Sequence, residues 1–315
     1  RRSSDLNLNS SNNNKVLVVL PLNQIEDFLL NECLYSLAQQ EYPIDLLILA
    51  NKLSSDQKES LETIASAPKI VVQTKNEKGE IKRDEVSAIK DLNFTIVDSE
   101  ANTFSQAFNE GFNYAVKNKY EWFSMVEFDD IVDVKWFLNV VNYSKDKTGI
   151  DGFMPLTREI SNGAFLGYFN EACWMDGYAE VAGQFDLTLL TRFNCMNITG
   201  AAFKVASLQK FSEHDKESDY YKPIKESIRL GYIYEFFLRM IYKDLKFFTI
   251  PRVGYEHRID RPTPMVDYFT SKLPRDLIAR PAETGGVTPE ENTFWSNLVK
   301  KEYYHAKDRN VVFTK

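Results

Sequence analysis

The sequence contains few cysteines, and none of them forms a close pair. Cys33, Cys173 and Cys195 lie far apart, no CxxC spacing occurs, and an odd number leaves at least one thiol without a partner. Disulfide frameworks and cysteine-ligated zinc sites depend on such pairs. The sequence therefore argues against a disulfide-stapled or zinc-ribbon protein, and we expect a reducing, cytoplasmic location.

Long apolar runs and clusters of basic residues are also missing. No stretch is long enough to cross a bilayer as a helix, so we predict no membrane span. The formal net charge is −7, and the Lys and Arg residues are scattered. A nucleic-acid partner is therefore not expected, because such partners require several phosphates to be neutralised by clustered basic side chains.

The apolar content is sufficient for one large core or two smaller ones, at 43% of 315 residues. Residues 1–14 are rich in Ser and Asn and nearly devoid of apolar side chains, which predicts a disordered leader. After Arg261 the sequence has four prolines within about 20 residues. We expect this segment to wrap over the body before a final helix from Pro289 to about His305.

Apolar runs alternate with helical patterns in the first half of the chain. The four runs predicted as strands are residues 16–20, 45–50, 69–73 and 93–97. Leu30, Cys33, Leu34 and Leu37 recur at the spacing of a helix face between the first two runs. This alternation predicts an α/β fold with a mostly parallel sheet covered by helices on both faces. The charged segment 75–90 is predicted to be an exposed loop.

An apolar run at residues 122–126 ends abruptly in three carboxylates, those of Glu127, Asp129 and Asp130. A strongly periodic helix from Phe104 precedes this run, which places the acidic residues at the carboxyl edge of a parallel sheet. Mg²⁺ and Mn²⁺ prefer carboxylate oxygens, and Glu127 and Asp129 point to the same side of an extended chain. The pattern is consistent with a metal site, and also with a helix cap or a solvated turn.

The second half contains an aromatic segment and one well-marked helix. Residues 161–178 are rich in Gly and aromatic side chains without a clear period, which fits either an adaptable binding loop or a satellite hydrophobic cluster. Apolar residues at helical spacing predict a helix over 233–241, followed by a strand over 247–251.

Five short motifs follow one another in the order and spacing of family 2 glycosyltransferases. They are Pro21-Leu22-Asn23, Leu34-Tyr35-Ser36-Leu37 with Gln39, Gln40 and Pro43, Ser54-Ser55-Asp56, Ala107-Phe108-Asn109-Glu110-Gly111, and Glu127-Phe128-Asp129-Asp130. Two later segments, Asn197-Ile198-Thr199-Gly200-Ala201-Ala202-Phe203 and Tyr255-Glu256-His257-Arg258, look like the acceptor-side segment and the C-terminal histidine of that family. From about residue 15 to residue 258 the chain therefore resembles a sugar-nucleotide transferase of the GT-A fold.

The resemblance implies transfer of a sugar from a nucleoside diphosphate sugar to a hydroxyl of a glycan, lipid-linked or protein acceptor, with inversion at the anomeric carbon. It implies a GT-A (Rossmann-like) domain with a nucleotide-sugar-binding half at 15–132, an acceptor-binding half at 133–260 and a C-terminal extension at 261–315. The donor-binding residues that it implies are Pro21, Asn23, Asn51, Asp56, Asn109, Gly111 and Asp130. The acceptor-binding residues would be Tyr168, Trp174 and Tyr178, in the aromatic segment.

The acidic run corresponds to the DXD motif of that family. Glu127 replaces the first Asp, a change that lengthens the side chain and keeps an oxygen ligand. The resemblance implies Mn²⁺ or Mg²⁺ bound by Glu127, Asp129 and His257. Such a cation would neutralise charge on the leaving diphosphate. A lone histidine near a strand end is also common as a satisfied polar residue.

Two parts of the sequence depart from the family pattern. Asn51 and Lys52 stand where the family usually has acids that contact the nucleoside, and Asp56 is interpreted first as a helix cap. The usual Glu-Asp pair near the acceptor helix is missing as well. Glu235 is the first candidate for the catalytic base and Glu226 the second. The alternative for Glu235 is an exposed helix pair with Arg239, on the side opposite the apolar stripe.

Two other functions remain open from the sequence. A nucleotidyltransferase would share the sheet and the acidic residues, but it would be expected to have a Gly-rich loop where this chain has Pro21-Leu22-Asn23-Gln24. A non-catalytic sugar-nucleotide or glycan-binding module derived from a transferase stays open because Asn51-Lys52 is altered and the acidic pair is missing.

Overall fold

The computed structural model describes residues 15–75, 81–190, 197–228 and 231–259. The predicted leader at 1–14, Cys195, the extension at 261–315 and its final helix lie outside these residues. Within them, no helix is both long and apolar enough to cross a membrane. Cys33 and Cys173 are both free thiols, and both are buried.

The first half alternates strands with helices, as the periodicity predicts. Its elements are β1 (Val16–Leu22), α1 (Asp27–Ala38), β2 (Asp45–Asn51), α2 (Ser55–Ser66), β3 (Lys69–Lys75), β4 (Ile81–Ser87), β5 (Asn93–Ser99), α3 (Phe104–Lys117) and β6 (Trp122–Met125). β1 pairs in parallel with both β2 and β6, and β2 pairs in parallel with β5.

Among the described residues, the second half adds two long strands, several short strands and four α-helices. Its elements are β7 (Ile131–Val132), α4 (Trp136–Asp146), β8 (Gly152–Ser161), β9 (Ala164–Phe169), a 3₁₀ turn (Glu171–Trp174), β10 (Gln184–Phe185), α5 (Leu187–Leu190), β11 (Ala202–Lys204), α6 (Val205–Phe211), β12 (Glu213–Asp215), β13 (Tyr220–Lys222), α7 (Tyr232–Tyr242) and β14 (Phe247–Arg258). The predicted helix at 233–241 is confirmed, and β14 continues seven residues beyond the predicted strand end at 251.

Within the described residues the main sheet has ten strands, in the order β10-β14-β8-β11-β6-β1-β2-β5, with β7 beside β14 and β9 beside β8. β14 runs parallel to β8, whereas the short β11 is antiparallel to both of its neighbours. The predicted α/β fold with a mainly parallel sheet and flanking helices is confirmed.

Each face of this sheet carries its own apolar core. Along β1, Leu17 and Val19 belong to the core on the α3 side, and the alternate residues Val16, Val18 and Leu20 belong to the core on the α1 side. Strands buried on both faces must be apolar at nearly every position. This requirement explains the unbroken apolar run of β1.

The prediction for residues 69–90 is wrong in two respects. β3 is not part of the main sheet, and residues 81–87 of the predicted loop form β4, which pairs with β3 as an antiparallel two-stranded sheet. Most of β4 is charged and exposed, and Lys69 pairs with Glu85 at 2.8 Å across the two strands. A strand with so few apolar residues cannot be covered on both faces, so the pair lies outside the main sheet.

Candidate functional site

The acidic run forms a turn directly after β6. The Val126 amide continues the parallel ladder by donating to the Val19 carbonyl at 2.9 Å, and the Asp130 amide then donates back to the Glu127 carbonyl at 3.2 Å. Phe128 between them is buried in the core on the α1 side. The expectation that Glu127 and Asp129 point the same way assumed an extended chain. The chain instead turns at Phe128 and Asp129, so strand alternation does not apply here.

The end of β14 supplies the other wall of this site. The Tyr255 hydroxyl donates to Asp130 Oδ2 at 2.7 Å, and His257 Nδ1 lies 2.9 Å from the same oxygen. The Arg258 amide donates to Asp130 Oδ1 at 2.8 Å, and the Glu127 amide donates to the Tyr255 hydroxyl at 3.0 Å. The acidic turn and β14 are therefore joined by four hydrogen bonds.

Glu127, Asp130 and His257 each offer a ligand atom, and these three atoms lie within 4.8 Å of one another. Two carboxylates and an imidazole form a donor set that suits Mn²⁺ and other divalent cations. Asp129 is 6% exposed in the turn and is not a member of this group of three. The structure thus brings together two of the three predicted metal ligands, with Asp130 as the third member of the group.

Burial and neighbouring charges shift the pKa values of Glu127 and His257. Burial and the neighbouring charge of Asp130 raise the pKa of Glu127 to about 7, although His257 opposes the shift. Burial lowers the pKa of His257, but its hydrogen bond to Asp130 and the surrounding carboxylates outweigh burial and raise that pKa to about 9. Carboxylates held this close repel one another, and a bound cation would relieve the repulsion.

The predicted donor-side residues end two neighbouring strands. Pro21 lies at the end of β1 with Asn23 just beyond it, and Asn51 is the last residue of β2. The Asn51 amide nitrogen donates to the Ala101 carbonyl. Lys52 follows in the left-handed region with φ of 56°. The carboxyl ends of β1, β2 and β6 therefore meet at one edge of the sheet.

The capping interpretation of Asp56 is wrong. Ser54 is the N-cap of α2, where its hydroxyl accepts from the Gln57 amide at 3.2 Å while the Gln57 side chain accepts from the Ser54 amide. Asp56 lies exposed in the first turn of the helix. Ser competes well for the cap position, and here the matching Gln three residues later completes a capping box.

Asn109 and Gly111 both lie on the buried face of α3. The Asn109 side chain donates to the Ile224 carbonyl at 2.8 Å and accepts from the Ile224 amide at 3.1 Å. It also donates to the Glu226 carboxylate at 3.0 Å. A Cβ at Gly111 would lie 2.8 Å from Val19, so α3 approaches β1 as closely as a glycine permits. These contacts hold α3 against the sheet and hold the segment around Ile224 against α3.

The two candidate bases have very different surroundings. Glu235 is fully buried, and it accepts hydrogen bonds from Arg239 Nε at 2.7 Å and Nη2 at 3.1 Å. Its predicted place on the exposed side of the helix is therefore wrong. The segment that carries Pro223 covers this side of α7, and the Pro223 carbonyl accepts a hydrogen bond from Arg239. Glu226 borders a cavity of about 310 Å³ that Glu110, Tyr220 and other side chains also line.

The predicted acceptor-binding aromatics occupy three different settings. Tyr168 on β9 is 45% exposed, and its ring centroid lies 4.9 Å from that of Phe165. Trp174 donates from Nε1 to the Thr249 carbonyl at 2.9 Å. Tyr178 is partly buried against the core on the α3 side. Trp174 and Tyr178 thus contact the rest of the protein, whereas Tyr168 and Phe165 form an exposed aromatic pair.

Several residues around the site were given no role by the sequence. Tyr255 bridges the acidic turn, Cys33 donates its thiol to the Glu127 carbonyl at 3.4 Å, and Glu32 pairs with Arg258 at 2.5 Å. Tyr232 at the start of α7 has a raised pKa because of burial and the charge of Glu127. Strand alternation places Tyr255 on the same face as His257, but the predicted strand ended at residue 251, before either of them.

Comparison with protein families and with curated proteins finds no match for this chain. Comparison of structures finds many, among them S. aureus TarS residues 1–349 in complex with UDP-GlcNAc, with a TM-score of 0.53 and 14% sequence identity. That match covers 82% of this chain and 62% of the TarS chain. A second is the mannosyltransferase PcManGT from Pyrobaculum calidifontis in complex with GDP-Man and Mn²⁺, with a TM-score of 0.51, 13% identity and coverage of 94% and 71%.

Both neighbours are glycosyltransferases. At these identities the similarity shows a shared fold, in which the sheet and its flanking helices correspond over most of the described chain.

Proposed function

We propose that this protein is a glycosyltransferase that transfers a sugar from a nucleoside diphosphate sugar to an acceptor hydroxyl, with a divalent cation at the acidic turn. The observation that carries the proposal is the meeting of Glu127, Asp130 and His257 within 4.8 Å, at the carboxyl edge of a sheet shared with glycosyltransferases. Open α/β sheets bind their ligands at this edge. The nucleotide sugars bound in the two neighbours, UDP-GlcNAc and GDP-Man, indicate the chemical class of the substrate.

The proposed chemistry is a single displacement with inversion, as in family 2 glycosyltransferases. A cation bound at this turn would supply charge neutralisation for the diphosphate as it leaves. The acceptor hydroxyl must lose its proton as the new bond forms, and this requires a carboxylate open to the ligand. We assign this step to Glu226, because it borders a cavity, whereas both oxygens of Glu235 accept bonds from Arg239.

The acceptor would lie on the β9 side of the site. Tyr168 and Phe165 expose adjoining rings there, and exposed aromatic faces stack well on the apolar faces of sugars and on lipid chains. A glycan or a lipid-linked glycan fits this surface best.

The test is release of free nucleoside diphosphate from UDP-GlcNAc and from GDP-mannose, with Mn²⁺ and with excess chelator. We expect release only with the cation and a loss of most activity in Asp129→Asn, which removes a charge from the turn. Glu226→Gln should keep the donor-induced thermal shift and lower the rate by roughly 10²–10⁴-fold. Asp91→Asn is the matched control, because it makes the same change at an exposed position before β5, at the opposite edge of the sheet.

Each part of the proposal has its own contrary result. If excess chelator leaves the rate of nucleoside diphosphate release unchanged, the reaction does not need the cation. If a nucleotide sugar raises the melting temperature but no nucleoside diphosphate is released under any condition, the chain is a donor-binding module. If neither nucleotide sugar changes the melting temperature or releases nucleoside diphosphate, the assignment to these two nucleotide sugars is wrong.

A further inference from the structure

Asp130 is the most fully enclosed carboxylate of the site. Its side chain is inaccessible to solvent, and three protein donors already occupy it. The Tyr255 hydroxyl and His257 Nδ1 meet Oδ2 at 2.7 and 2.9 Å, and the Arg258 amide meets Oδ1 at 2.8 Å. Both oxygens of this carboxylate therefore lie within hydrogen-bond distance of protein groups, and the side chain points into the interior.

The histidine that it contacts lies further out. The His257 side chain is 18% exposed, against 0% for Asp130. An ionised carboxylate only accepts hydrogen bonds, so His257 Nδ1 must carry the proton of their contact. The other ring nitrogen, Nε2, is then the atom that remains for a ligand. Histidines that bind metals commonly donate their second N–H to a carboxylate in this way, which fixes the orientation of the ring.

The support for this pair comes mainly from one strand. Tyr255 and His257 lie on the same face of β14, two residues apart, and the Arg258 amide is next along the chain. β14 is itself fixed by parallel pairing with β8 and antiparallel pairing with β7, in which Tyr255 lies opposite Val132. Tyr255 also packs against Gly200, where a Cβ would lie 2.5 Å from its ring.

We propose that Asp130 is a positioning residue that holds His257 by Nδ1, so that the Nε2 atom is presented to the divalent cation. Glu127 and His257 are then the ligands of the group, and Asp130 acts on the cation only through the imidazole. This inference rests on the proposed function for the presence of the cation. The orientation of the ring does not depend on the donor or on turnover.

NMR spectroscopy distinguishes the two ring nitrogens of His257 directly. The chain has three histidines, so protein labelled with ¹⁵N-histidine gives few signals, and His257→Gln identifies the signals of interest. In the metal-free protein we expect a slowly exchanging proton on His257 Nδ1. On addition of Zn²⁺, as a diamagnetic probe of the cation site, the Nε2 resonance should move while Nδ1 keeps its proton.

Variants separate positioning from ligation. In Asp130→Asn the Nδ1 proton should exchange much faster, and the Kd for Mn²⁺ should rise by about 10–100-fold, the usual effect of losing such a partner. Tyr255→Phe is the matched control for the proton, because it removes a different donor from the same Oδ2 and leaves the histidine contact. It should preserve the slowly exchanging Nδ1 proton. Its Kd is not a control, since the Tyr255 hydroxyl also accepts from the Glu127 amide.

Four results would overturn the inference. They are metal bound at Nδ1, no protected Nδ1 proton in the wild type, an unchanged Nδ1 proton and Kd in Asp130→Asn, and failure of the wild type to bind Mn²⁺ or Zn²⁺. The wild-type spectra decide the matter even if Asp130→Asn does not fold. Metal binding at Nε2 without any donor turnover would refute the proposed transferase and leave the role of Asp130 intact.

Discussion

The carboxylate of Glu235 lies in the interior with its charge compensated by Arg239. The Arg239 side chain is 10% exposed, and its guanidinium donates to the Pro223 carbonyl as well as to Glu235. An exposed Glu–Arg pair on a helix contributes only a few tenths of a kcal/mol, roughly 0.2–0.5. In a buried pair, loss of one partner leaves an uncompensated charge in the interior. A Glu and an Arg four residues apart therefore matter far more for stability here, where they are buried, than they would on an exposed helix.

Glu235→Gln should lower the free energy of unfolding by about 3–5 kcal/mol, because the buried guanidinium loses its counter-charge. Urea unfolding followed by circular dichroism measures the change. The control is the double variant Glu235→Leu with Arg239→Met, which removes both charges and should recover most of the stability. Unchanged stability with a large loss of rate would contradict the buried-pair account and return Glu235 to the position of catalytic base.

The contact between α3 and β1 depends on one small residue. Gly111 lies on the buried face of α3, next to Val19 in the middle of β1. Val19 is fully buried and β-branched, so it has little freedom to move aside. The glycine is needed for the close approach of the helix to the sheet, and this approach brings Asn109 to Ile224 and Glu226.

Gly111→Ala should destabilise the protein by about 1–3 kcal/mol, the usual cost of overpacking a core, offset by up to about 1 kcal/mol of helix propensity. Thermal unfolding measures the net effect. Gly167→Ala on β9 is the matched control, since a Cβ there meets nothing within 4 Å. A Gly111→Ala protein as stable as this control would show that α3 has room to shift.

The described residues form one main sheet that is buried on both faces and two small two-stranded sheets, β3–β4 and β12–β13. The main sheet has a core on each face, whereas the β3–β4 sheet is largely exposed and touches the body mainly at α1. Regions with few buried apolar contacts open at a lower free energy than core strands. The acidic turn belongs with the core strands, because Val126 and Phe128 on either side of Glu127 are buried in the core.

Hydrogen exchange should therefore separate the two sheets. We expect the amides of β4 to exchange at least tenfold faster than those of β1 and β6, because the hairpin can open without disturbing either core. Mass spectrometry of peptides covering residues 81–87 and 16–22 tests this directly. Equal protection in both peptides would mean that the hairpin unfolds only with the whole domain.

The elements of the first half were predictable because their signals are local. The helix from Phe104 and the strand at residues 122–126 follow from spacing alone, and together they place the acidic run at the edge of the sheet. The β3–β4 pair was mispredicted because two adjacent valines in β3 resemble a core strand, whereas the charges that exclude it from the main sheet lie in the next segment. Similarly, the spacing of Glu235 and Arg239 does not reveal that a distant segment covers them.

The sequence by itself determined the alternation of strands and helices, the two-sided core and the position of the carboxylates after β6, since hydrophobic periodicity and strand burial act over a few residues. Only the tertiary structure decided which side chains meet there. Asp130 and His257 are 127 residues apart, and their 2.9 Å contact exists because β14 runs beside β8 and β7 in the same sheet. Strand order is set by the packing of the whole chain, and no local pattern encodes it.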